Sequence, residues 1–184
     1  MYGYLFGVRF PEYILILIER NRDGMKNNKS IYIAGPFFND MQVHFEESVS
    51  YALHNNITVG AIFRPKHIKT EEEFGSKEWK HTIFETDVTA IKNSDIVVAI
   101  GNFQEINGEL IVDTGTAYEL GLANGLGKPI VFVHIGDSDD LILNVMIDMG
   151  TQFHITGTLD SVMKQLTTFD FTNIVVKRKN WKTT

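Results

Sequence analysis

The 184-residue chain has no cysteine. Disulfides, thiolate nucleophiles and Cys-ligated metals are therefore excluded, and the composition fits a reducing, cytoplasmic location. Basic residues are also in deficit: 17 Lys and Arg stand against 23 Asp and Glu, a net charge of −6. Nucleic-acid binding leaves a basic footprint, so no nucleic-acid partner is expected, whereas free nucleosides and other small molecules stay compatible. Long apolar runs are missing too. "YILILIE" is apolar for six residues before Glu19, too short for a membrane span. No small-residue cleavage site follows it before the basic "RNR", which argues against a secretory signal. No membrane partner is expected.

Several chemical signatures are absent as well. The six histidines (44, 54, 67, 81, 134 and 154) show no HxH or HExxH spacing, so no metal site is expected. There is no GxSxG elbow for a hydrolase triad. "GLANGLGKP" is glycine-rich, but it falls late in a helix and lacks both the dinucleotide fingerprint and the P-loop ending. Its glycines suit close helix–sheet packing and a C-cap at Gly127 before Pro129.

What is present is an ordinary globular balance, 43% hydrophobic and 22% charged, with enough length for one full core. Residues 1–29 form an N-terminal extension, either upstream of a natural start at Met25 or an extra helix or strand packed on the domain. Residues 30–184 form the domain. Its strand candidates are "SIYIAGPFF", "ITVGAIFRP", "SDIVVAIG" and "KPIVFVHI". Helical patterns lie between them: Met41, Phe45, Val49, Ala52 and Leu53 on the first, residues 77–92 on the second, and 113–127 on the third. "HIKTEEEFGSKE" reads as an exposed loop and "NFQEINGELIV" as a connection. A helix or loop over 141–149, then a short strand and helix, complete the chain. Strands alternating with helices imply an α/β fold, a single three-layer sandwich on a mostly parallel sheet, flavodoxin/Rossmann-like. A ligand would sit beyond the carboxyl ends of the strands, near Gly35 and the Gly101–Asp113 segment.

Two carboxylates interrupt this pattern. On the second helix Asp87 falls within the apolar stripe Ile83, Phe84, Val88, Ile91. On the third, Glu119 is the lone charge between Thr114 and Gly127, on a face with Leu122, Ala123 and Leu126. A buried carboxylate is costly and tends to keep its proton unless a partner, metal or ligand compensates. Each could instead lie at the stripe's edge or pair with a Lys or Arg. Asp113 stands at a strand-to-helix junction, where Asp is commonly a cap. Paired carboxylates are what glycosidic-bond chemistry requires, one as nucleophile and one to move the leaving group's proton.

"IYIAGPFF", "TDVTAIKNSDIVVAIG", "DTGTAYELGLANGLGKPIVFV" and "NVM" resemble, in order and spacing, the nucleoside 2-deoxyribosyltransferases, over roughly Ser30 to Phe171. The resemblance implies double displacement with Glu119 as nucleophile, Asp87 and Asp113 as the acids that bind the base and handle its proton, and Tyr32 holding the nucleophile through its hydroxyl. It also implies substrate contacts from Gly35, Phe37, Gly115, Asn144 and Met146. Asn144 would reach a neighbouring subunit's sugar, so a homo-oligomer with shared active sites is expected, without metal or organic cofactor. From the residues alone, Tyr32 and Phe37 could be plain core, Asn144 a helix cap and Met146 filler. Departures from the family are the unmatched first 29 residues, the loop from His67 to Lys77, and the ending "KNWKTT" without a terminal aromatic residue. Three functions follow: exchange of 2-deoxyribose between bases in nucleoside salvage, hydrolysis of 2-deoxynucleoside 5-monophosphates, or non-catalytic nucleotide sensing.

Overall fold

The computed structural model describes residues 2–5, 8–11, 28–101, 103–106, 109–136 and 143–174. Five strands build the main sheet: β3 (Lys29–Ala34), β4 (Val59–Phe63), β5 (Ile96–Ile100), β8 (Ile130–Ile135) and β9 (Phe153–Gly157). They are all parallel, in the order β4-β3-β5-β8-β9. The main sheet starts at β3, moves one way to β4, then returns to continue on the other side. That is the flavodoxin-like doubly wound order, and its switch point lies between β3 and β5. Helices α1 (Asp40–His54), α2 (Lys77–Asn93), α3 (Thr114–Gly125), α4 (Val145–Gly150) and α5 (Leu159–Thr168) complete the layers.

The central strand shows why the sheet is covered on both faces. All five residues of β5 are buried, as the unbroken apolar run "IVVAI" requires. Alternation then divides the core in two. Ile31, Ile33, Ile96, Val98, Ile100, Val131 and Val133 pack with Val49, Leu53, Val162 and Leu166, the α1 and α5 side. Tyr32, Ala34, Val97, Ala99, Ile130 and Phe132 pack with Ile91, Leu120 and Ala123, the α2 and α3 side. Period-two geometry thus decides which helices Tyr32 can meet.

The strand candidates fall where expected, and α3 ends as its glycines suggest. Gly127 takes φ +69°, and Gly127 N and Lys128 N donate to Asn124 O and Ala123 O, the paired bonds of a Schellman cap. Gly101, at the end of β5, admits no side chain: a Cβ there would lie 2.2 Å from the Phe132 ring.

Other expectations are corrected. The segment read as a plain connection contains an antiparallel hairpin, β6 (Phe103–Ile106) with β7 (Glu109–Val112). In the N-terminal extension β1 (Tyr2–Leu5) pairs with β2 (Val8–Pro11), in a sheet separate from the main one; "YILILIE", Met25, Leu141 and "KNWKTT" lie outside the described residues. On α1, Met41 is 63% exposed, while Gln42 and Glu46 are buried beside Val49 and Leu53. Polar partners explain the rotation. Gln42 Oε1 accepts from Phe38 N at 2.8 Å, and Glu46 receives both Nε and Nη2 of Arg64 at 2.6 Å.

Candidate active site

Asp113 caps α3: its Oδ2 accepts from Thr116 N at 2.9 Å and from Thr116 Oγ1 at 3.1 Å. Ser76 caps α2 by accepting from Trp79 N at 3.0 Å. These caps set the start of two helices that run side by side over one face of the sheet. Trp79, Ile83, Asp87 and Ile91 recur every four residues along α2, while Gly115, Tyr118 and Glu119 share a face of α3. Together with Lys80, Phe84 and Val88 they line a cleft of about 250 Å³.

The α2 stripe is therefore not core. Only Ile91 of α2 is buried, and Phe84 is exposed, its ring 6.1 Å from that of Tyr118. On α3 the buried positions are Thr116, Leu120 and Ala123, and Leu126 is exposed. Glu119 flanks that stripe and points its carboxylate at the cleft's floor.

There it meets the sheet. Tyr32 is fully buried, and its hydroxyl donates a hydrogen bond to Glu119 Oε1. Asp87 is close enough to act on the same hydroxyl. Asp87 Oδ1 is buried without a hydrogen-bond partner among the described residues. Burial pushes Asp87 up to about 7, the Tyr32 hydroxyl opposing it. Burial likewise pushes Glu119 up to about 8; the Tyr32 bond opposes this, and the charges of Asp87 and then Asp113 add to it. Tyr32 is driven far above its ordinary value by burial, then by the charges of Glu119 and Asp87, so the phenol remains a donor. Two carboxyls, each raised above its ordinary range chiefly by burial, thus stand about one phenol. Carboxyls raised in this way can hold a proton at neutral pH, the condition for general acid–base chemistry.

The remaining expected site residues are more scattered. Asp113 influences Glu119 through its charge, but its carboxylate is committed to capping. Gly115 lines the cleft. Gly35 packs on Ile100, where a Cβ would come to 3.1 Å, and the Phe37 ring lies tilted against that of Phe38 at 5.4 Å; neither Gly35 nor Phe37 is among the cleft-lining residues. Asn144 caps α4, accepting from Met146 N at 2.9 Å, and Met146 is 77% exposed. These two do not reach the cleft within one chain. Trp79, Lys80 and Tyr118 went unforeseen, although Trp79 stands two turns before Asp87 on the same face. Among the described residues no group of three His, Asp or Glu is placed to hold a metal ion, and no helix is long and apolar enough to cross a membrane.

Fold and site together define a doubly wound α/β domain with two raised carboxyls in a cleft between α2 and α3. The sequence profile of the nucleoside 2-deoxyribosyltransferases matches residues 31–163, and the chain belongs to that family of enzymes. A nucleoside deoxyribosyltransferase of Limosilactobacillus fermentum is 31% identical in an alignment of 129 positions that covers 65% of this chain and 73% of that one. The structure of a 2-deoxyribosyltransferase from Bacillus psychrosaccharolyticus is 32% identical, with a TM-score of 0.60, covering 77% of this chain and 93% of that one. A CMP N-glycosidase from Clostridium botulinum shares the fold, with a TM-score of 0.51 at 15% identity, covering 75% of this chain and 98% of that one.

Proposed function

We propose that the domain of residues 30–184 exchanges 2-deoxyribose between purine or pyrimidine bases, as a nucleoside salvage enzyme. The observation that carries this reading is the Tyr32–Glu119 hydrogen bond at the floor of a cleft that also holds Asp87. In the first half-reaction a Glu119 oxygen forms a bond to the anomeric carbon. The bond from that carbon to the base nitrogen breaks, and the base takes its electron pair and a proton from Asp87. In the second, another base attacks the same carbon, the ester bond to Glu119 breaks, and the incoming nitrogen returns its proton to Asp87. No water enters the balance. The apolar walls from Trp79, Ile83, Phe84 and Val88 favour a base over water as acceptor. The unpartnered Asp87 Oδ1 has the placement to bind the base.

One observation favours the hydrolase reading: Lys80 is basic and lines the cleft, where it could meet a 5-phosphate. Deoxyinosine with adenine, and separately deoxyadenosine monophosphate, decide the matter by chromatography. Deoxyadenosine is expected from the first mixture. Free base released only from the nucleotide would favour hydrolysis, and no change in either would leave a binding module.

The shared-site arrangement belongs to the same reading. Phe84, Tyr118, Leu126, Val145, Met146 and Met149 are all exposed on α2, α3 and α4, a concentration of apolar surface typical of association. Light scattering should show an oligomer at working concentration. A monomer that retains full exchange activity would overturn the shared site.

A further inference from the structure

Tyr32 is itself supported from the side. It pairs in register with Phe63, the last residue of β4, and the two rings stack at 5.5 Å with an interplanar angle of 10°. β4 is an edge strand, so among the described residues no further strand holds Phe63 from outside. The next residue, Arg64, turns to the opposite face of the sheet and forms the double hydrogen bond to Glu46. Glu46 is 3% exposed, and Lys66 Nζ approaches its second oxygen at 3.4 Å. A buried ion pair is often no more stabilising than an apolar pair of the same shape, whereas its geometry is strict. Here that geometry ties the end of β4 to α1 on one face while the adjacent ring props Tyr32 on the other.

We propose that Phe63, anchored through the Arg64–Glu46 pair, is a positioning residue that holds the Tyr32 hydroxyl on Glu119. The kinetic half of this inference rests on the deoxyribosyl-transfer reading; the spectroscopic half does not. Without the stacked ring Tyr32 can tilt toward the sheet edge, and the phenol would then withdraw from the carboxylate. Two effects on Glu119 can be separated by sign. Loss of the Tyr32 bond removes the influence that holds its pKa down, so the acid limb of the pH–rate profile moves to higher pH. Mere admission of water relieves burial and moves that limb to lower pH.

The test compares wild type with Phe63→Ala, Phe63→Tyr and Glu46→Gln, using kcat, KM, the pH–rate profile and the downfield proton NMR signal of the Tyr32 hydroxyl, assigned by its loss in Tyr32→Phe. Phe63→Ala is expected to lower kcat by about 10- to 100-fold with KM little changed, to raise the acid limb, and to shift the hydroxyl signal upfield. Phe63→Tyr, which keeps the ring, should restore all three. Glu46→Gln should move them in the same direction as Phe63→Ala, and it stands in for that variant should the latter fail to fold. An unmoved or lowered acid limb together with an unchanged hydroxyl signal would overturn the proposal, even if the melting temperature falls. Should wild type turn over no nucleoside, the transfer reading fails, and the hydroxyl signal alone decides the positioning role.

Discussion

Glu119→Gln should reduce base exchange by about 10,000-fold or more and at the same time make the protein more stable at pH 8. The first effect follows from loss of the attacking oxygen's charge. The second follows from burial, which raises the Glu119 carboxyl from its ordinary 4.5 to about 8. Between those values the folded protein keeps a proton that the unfolded chain has released. Wild-type stability therefore carries this contribution in full below about pH 4.5 and loses it as pH rises toward 8. Glutamine stays neutral throughout and can still accept from Tyr32. After allowance for residual solvation, the gain at pH 8 should be roughly 2 kcal/mol, or about 4–8 °C in Tm for a chain of this size. The gap should narrow toward pH 5. Thermal melts at the two pH values, alongside the exchange assay, check both halves. Retained turnover would remove Glu119 as nucleophile, and a pH-independent gap would deny that its charge is costly.

Tyr32→Phe is expected to lower kcat by about 100-fold, the usual scale for removing one donor aimed at a reacting oxygen. Its diagnostic effect lies in pH. Wild type should show a bell whose limbs belong to the Asp87–Glu119 pair, near about 7 and about 8. The active form is the pair with one proton, whichever oxygen holds it at rest. The Tyr32 bond opposes the rise at both carboxyls. Removing it should push both limbs to higher pH, the acid limb by about one unit, so that the active window shifts upward. A profile unchanged in position with a lower maximum would mean that Tyr32 only fills space. The fold should survive, because the ring and its stack on Phe63 remain.

The same residues show where a linear reading ends. The near-continuous apolar runs "IVVAI" and "SIYIAG", set among helical patterns, point to a parallel sheet covered on both faces, because such strands have no polar face to turn to water. The lone charges Asp87 and Glu119 were conspicuous because each breaks a helical apolar pattern. Family resemblance then supplied roles that periodicity could not. The surroundings of those charges were less legible. The α2 stripe around Asp87 has the spacing of a core face, yet it lines a cleft, since spacing fixes a face and not what covers it.

The sequence by itself determined the fold class, the positions of β3, β4, β5 and β8, the capped end of α3 and the family, all consequences of local patterning and motif order. Only the tertiary structure decided that the Tyr32 hydroxyl meets Glu119 and that burial raises both Asp87 and Glu119, because those effects depend on contacts between residues as far apart as 32 and 119. It also decided that Asp113 is bound to its own helix, that Asn144 and Met146 face outward, and that Phe63 stacks on Tyr32. Strand register and helix rotation fix those contacts, and both are set by packing across the sheet.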